Sequence, residues 1–162
     1  MKKLFFLLLF CPVIALHAQN KSKTIAFPTF KLLAMDSTAF VENNQLNDTL
    51  ITLFINFSPE CDHCERTIKS ILDNISKFQQ TQIVLTSFEP FDKIRKFYLD
   101  NSLYAYKNLF VGQEIDYQLT KQIHYAGFPS VVMFDKNKQW IKSIHEETNA
   151  KTILKALKLK YK

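Results

Sequence analysis

The feature that most constrains this chain is an abrupt change of hydrophobic period at one point. Residues 47–57, NDTLITLFINF, form a nearly continuous apolar, β-branched run, the pattern of a central strand buried on both faces. Ser58 and Pro59 break it. Beyond Cys61, the residues Ile68, Ile71, Leu72, Ile75 and Phe78 recur at spacings of three and four, which predicts a helix whose apolar stripe packs on a sheet. Cys61-Asp62-His63-Cys64 stands at this junction, after the strand and opening the helix. A helix's first turn offers unpaired backbone N–H groups and the positive end of the dipole, which together stabilise an anion. A thiolate is such an anion, so Cys61 is the expected nucleophile. The spacing returns Cys64 to the same face, where a more buried thiol can resolve a mixed disulfide.

The first stretch, MKKLFFLLLFCPVIALHAQ, has a different purpose. Lys2 and Lys3 make a positive start, Leu4 to Leu16 a short apolar run, and Ala18 supplies a small residue. This is the layout of a secretory signal, expected to be cleaved after Ala18 and too short for a confident membrane span. Two other arrangements are an uncleaved anchor and a lipoprotein acylated at Cys11, the latter opposed by the bulky Phe10 before it. Cleavage leaves only Cys61 and Cys64 of the three cysteines. Two cysteines three apart make no disulfide framework across loops, so they serve local chemistry. Removing Lys2 and Lys3 leaves 19 Lys and Arg against 15 Asp and Glu, lowering the net charge from +6 to +4. That is too mild to imply a nucleic-acid partner.

Residues 19–27 read as a polar, flexible lead-in and 28–162 as one domain, consistent with a length of 162 residues. FKLLAMDSTAFV predicts two short strands around an Asp36-Ser37 turn. TQIVLTSF is a second buried strand, FDKIRKFYLDNSL a helix, NLFV a short strand and EIDYQLTKQI another helix. GFPSVVMFD and WIKSIHEE are strands at hairpin spacing. NAKTILKALKLKYK closes the chain as a helix capped by Asn149. Its Lys151, Lys155, Lys158 and Lys162 read as a solvated face opposite Ile153, Leu154 and Leu157. Phe54, Ile55, Phe57, Phe88, Val131 and Phe134 are core by pattern. The expected class is α/β, a mixed central sheet flanked by helices on both faces.

The strand–Cys-x-x-Cys–helix unit, followed far downstream by GFPS opening a strand, resembles the thioredoxin-like superfamily. The export signal, the two-stranded lead-in and an insert of roughly thirty residues after TQIVLTSF are similar to its TlpA/ResA-like periplasmic branch. The resemblance implies a thioredoxin-like fold with an N-terminal β-hairpin extension and a helical insert. It also implies a cis peptide between Phe128 and Pro129, with Pro129 against the sulfurs and the Phe128 backbone pairing with a client chain held as an extra strand. The activity implied is thiol–disulfide exchange with exported proteins, through a redox-active Cys61–Cys64 disulfide and without a bound cofactor or metal. A periplasmic or secreted location, a monomer, and recharging by a membrane electron donor of the DsbD/CcdA kind complete that expectation.

The sequence departs from this pattern in places. Glu60 stands where many thioredoxins carry Trp, and Ile55 replaces the buried acid six residues before the first cysteine. Glu60, His63 and water remain open as the base. The redox-tuning residues are expected to be Glu60, Asp62 and His63. A His at the third motif position resembles oxidising members such as DsbA, whereas Glu60, Asp62 and Glu65 raise a nearby thiol's pKa and favour a reducing couple. Couples in this superfamily span roughly −270 to −120 mV, and the expected value lies toward the reducing end. Two alternatives stay open. A copper(I) metallochaperone would use the two thiolates with His63 or His124, and a binding module would keep the scaffold without the chemistry.

Overall fold

The computed structural model describes residues 24–158. The signal segment 1–18, Cys11 and Lys162 lie outside the described residues. In chain order the strands are β1 (Lys31–Ala34), β2 (Phe40–Glu42), β3 (Ile51–Asn56), β4 (Thr81–Ser87), β5 (Leu109–Gln113), β6 (Ser130–Phe134) and β7 (Trp140–Ile144). The helices are α1 (Asp62–Leu72), α2 (Phe91–Asp100), α3 (Gln118–Ile123) and α4 (Ala150–Lys158). The strands form one sheet in the order β2-β1-β5-β4-β3-β6-β7. The pairs β3/β4 and β4/β5 are parallel, and the other neighbours are antiparallel.

Period-two alternation divides the apolar residues between two cores. Leu53, Ile55 and Phe57 join Ile83, Leu85, Val131 and Met133 beneath α1, α2 and α4. Phe54, Val84, Val132 and Phe134 face the other way, toward Leu119 and Ile123 of α3. That is why the strand run showed no alternation: both of its faces are covered. α1 contributes Ile68 and Ile71, and α4 contributes Ile153 and Leu157. Lys151, Lys155 and Lys158 are exposed, as expected of the outer face of α4.

The described part of the lead-in, residues 24–27, is held against the domain. Ile25 and Phe27 pack on the second core, and the Phe27 ring stands edge-on to Phe54 at 5.6 Å and to Phe134 at 5.0 Å. The expected hairpin is present, its turn held by Asp36 Oδ1, which accepts from the N–H groups of Thr38 and Ala39 at 2.9 Å. The NLFV segment becomes β5, placed inside the sheet between β4 and β1. The insert therefore carries a strand as well as helices.

The helix expected over EIDYQLTKQI is shorter, beginning at Gln118. Glu114 is buried, and its carboxylate accepts from the Thr120 N–H at 2.8 Å and the Thr120 hydroxyl at 2.9 Å. Folding back to satisfy the first turn takes Glu114 out of the helix, and Tyr117, at φ 58°, makes the bend.

Candidate active site

Cys61 is the N-cap of α1, with extended backbone at φ −102° and ψ 109°. Its carbonyl accepts from the Cys64 N–H at 2.9 Å and the Glu65 N–H at 3.0 Å, and its own N–H donates to the Ser58 carbonyl at 3.1 Å. These bonds fix the Cys61 backbone at the first turn, at the positive end of the dipole. Both cysteines are free thiols, Cys61 partly exposed and Cys64 fully buried in the first core. Burial, and then the hydrogen bond with the Cys61 sulfur, push the Cys64 thiol up to about 12. One sulfur belongs to a partly exposed residue, and the other is buried and kept as a thiol.

The loop before β6 lies at the same end of the sheet, since Asn56 at the end of β3 pairs with Ser130 at the start of β6. The Phe128–Pro129 peptide is cis, and Gly127 supplies a φ of 117° that side-chain-bearing residues rarely adopt. Pro129 is buried, while Phe128 is partly exposed and packs, like Cys61, on the edge of the first core. The Phe128 ring lies 5.5 Å from Phe88, which lies 5.6 Å from Tyr117. Phe88 is therefore not a core residue as its pattern predicts; one residue beyond β4, it joins a partly exposed aromatic shelf along the site's edge of the sheet. Tyr117, not singled out by the sequence, is the exposed end of that shelf.

Charged side chains flank the motif in two groups. Glu60 pairs with Lys93 of α2 at 2.8 Å, and this bond raises the lysine's pKa. His63 turns toward the loop after β7, where its Nδ1 contacts Glu147 Oε2. Glu147 also receives a two-pronged bond from Arg66, Nε to Oε1 at 2.8 Å and Nη2 to Oε2 at 2.7 Å. Bonds from Arg66 and then His63 hold the Glu147 carboxyl down at about 2. Asp62 and Glu65 are exposed in the first turn, and Asp62 adds to the raised pKa of Arg66.

Arg66 was within reach of sequence reasoning, since it lies three residues after His63 on the same helix face. Glu147, 84 residues away from His63, gave no linear signal. Ile55 lies fully buried on the Cys64 side of the sheet, so the strand carries no acid there. His124 is exposed and ends α3 in a left-handed conformation at φ 54°. Among the described residues, no group of three or more His, Cys, Asp or Glu is placed to hold a metal ion.

No protein-family model and no curated protein matches the sequence. Solved structures do match. The pneumococcal exposed lipoprotein thioredoxin Etrx1 from Streptococcus pneumoniae superposes with a TM-score of 0.62 at 15% identity, covering 81% of this chain and 98% of that one. The fold is thioredoxin-like. A secreted Mycobacterium tuberculosis disulfide oxidoreductase homologous to E. coli DsbE shares this thioredoxin-like fold at TM-score 0.65 and 12% identity, over 80% of this chain and 95% of that one. StoA from Bacillus subtilis does so at 0.63 and 11%, over 82% and 98%. Among the described residues, no helix is long and apolar enough to cross a membrane.

Proposed function

We propose that the protein is a thiol–disulfide oxidoreductase of the TlpA/ResA-like kind, acting on exported proteins as a reductant. The observation that carries this reading is the asymmetry of the pair: Cys61 partly exposed at a helix N-terminus, Cys64 buried behind it. The Cys61 thiolate attacks one sulfur of a client disulfide and forms a mixed disulfide, expelling the first client thiolate, which takes up a proton. Cys64 then gives up its proton and attacks Cys61, and the second client sulfur leaves as a thiol. The net change is one client disulfide reduced and one Cys61–Cys64 disulfide formed. Phe128 and Pro129 shape the groove, where an extended client segment adds its backbone beside Phe128.

The matched proteins described as exposed or secreted support a location outside the cytoplasm, in line with the leader-like residues 1–18. A reductant in an oxidising compartment must be recharged, so a membrane electron donor of the DsbD/CcdA kind is the implied partner.

The test pairs two variants. Cys61→Ser should lose reduction of a model protein disulfide, and Cys64→Ser should accumulate mixed disulfides with client proteins, identified by mass spectrometry. If both serine variants keep full function in the cell, the reading fails. Equilibration with glutathione should place the couple toward the reducing end of the superfamily's range. A value near −120 mV, roughly that of the strongest oxidants, would contradict the reductant role.

A further inference from the structure

The loop that carries Glu147 is fastened to α1 in register. Its neighbour Thr148 donates its N–H to the buried Thr67 hydroxyl at 3.1 Å, and the Ala150 N–H donates to the Ser70 hydroxyl at 3.1 Å. Glu147 itself takes the guanidinium of Arg66 at 2.8 and 2.7 Å, with His63 on the same oxygen. Glu147, Thr148 and Ala150, the first residue of α4, thus dock in order on Arg66, Thr67 and Ser70 of α1. Backbone bonds at partly or fully buried positions, and not only an exposed ion pair, therefore set where this carboxylate sits.

The charged groups around the motif come from four places. The turn before α1 supplies Glu60, which α2 neutralises with Lys93. α1 supplies Asp62, His63, Glu65 and Arg66, and the loop after β7 supplies His145, Glu146 and Glu147. His145 faces Ser130, its Nδ1 2.9 Å from the hydroxyl. That leaves Arg66 as the permanent cation of the helix nearest the motif, with His63 beside it, its Nδ1 2.8 Å from Arg66 Nη2, and both are held by Glu147. Resting on the oxidoreductase reading above, we propose that Glu147 is a positioning residue, which sets the reactivity of the dithiol by holding Arg66 and His63 in a neutralised cluster. Freed of that carboxylate, the Arg66 guanidinium, which already interacts with Cys61, presents its full positive charge to the thiolate. A more stable thiolate makes the dithiol form more stable and the couple more oxidising.

The experiment follows alkylation of Cys61 with iodoacetamide against pH, and glutathione equilibration at mildly alkaline pH, on the full chain. Glu147→Gln should lower the alkylation midpoint by about half a pH unit and move the glutathione equilibrium about threefold toward the dithiol. Arg66→Met should raise the midpoint, because it leaves the carboxylate without its main cation. In a chain carrying both Arg66→Met and His63→Asn, adding Glu147→Gln should lose most of its effect. An unchanged or raised midpoint in Glu147→Gln overturns the proposal. So does a full shift that persists in the Arg66→Met/His63→Asn background, which would mean that Glu147 acts on the sulfur directly. Should Glu147→Gln fail to fold by circular dichroism, a midpoint unmoved or lowered by Arg66→Met refutes the proposal independently. If the unsubstituted protein exchanges with glutathione while these variants match it, only this inference falls. If it does not exchange at all, the oxidoreductase reading falls with it.

Discussion

A thiol pushed up to about 12 carries almost no thiolate at neutral pH, and Cys64 is also sealed from solvent. Iodoacetamide applied to the folded, reduced protein should therefore modify Cys61 and spare Cys64, until denaturant exposes both. Peptide mass mapping checks this, and equal labelling of the two would contradict the assigned roles. The same residue makes the dithiol form sensitive to alkali. Its pKa is raised in the fold from an ordinary 9.0, so the stabilisation is complete below pH 9 and declines as pH climbs through about 12. Glu147 works at the other end of the scale. Its carboxyl is lowered from 4.5 to about 2, so its contribution is present above pH 4.5 and is lost as pH falls through about 2. Urea unfolding across that acid window should show a slope that Glu147→Gln reduces, and that salt weakens because the pair is exposed.

Among the elements, α1 joins core and chemistry, because the stripe that docks it also fixes Cys64. Ile71→Ala should cost about 2–5 kcal/mol, the usual range for truncating a buried aliphatic residue, read by denaturant unfolding. Gly112 is the second position of this kind. A Cβ there would meet the Leu32 Cβ at 2.4 Å, so Gly112→Ala must push β1 away from β5. The expected cost is roughly 1–3 kcal/mol or more, with loosened hydrogen-exchange protection in the β1–β2 hairpin as its local sign. Elements with a strong period were legible from sequence: the doubly buried β3, the α1 stripe and the 130–144 hairpin. The start of α3 was not, because Glu114 fits a helical pattern and only tertiary packing turns its carboxylate back to cap the helix. Phe88 misled for a similar reason. Hydrophobicity cannot distinguish the last buried residue of a strand from the first residue beyond it.

At the scale of the whole molecule, parallel pairing brings the C-terminal ends of β3, β4 and β5 to one edge of the sheet. Cys61, Phe88 and the Glu114–Tyr117 bend therefore share that edge, and β6, running the other way, starts there just after Phe128. Such convergence is set by strand order, which is why the dithiol was legible locally while Glu147, Lys93 and Tyr117 were not. Phe88→Ala and Tyr117→Ala should each weaken use of a protein disulfide by roughly 1 kcal/mol, about fivefold in KM, while leaving reduction of a small aromatic disulfide reagent nearly unchanged. Steady-state kinetics on both substrates would separate a docking shelf from a general loss of fold. The two outermost strands have a different task. β2 is three residues long and crossed by the Lys31–Glu42 pair at 3.4 Å, and β7 pairs with β6 through an irregular register beside Phe134. Short, charged or kinked borders are poor templates for a neighbouring chain's backbone. Under the proposed function, in which a foreign strand lies down beside Phe128, the protein is safer if its other borders refuse such company.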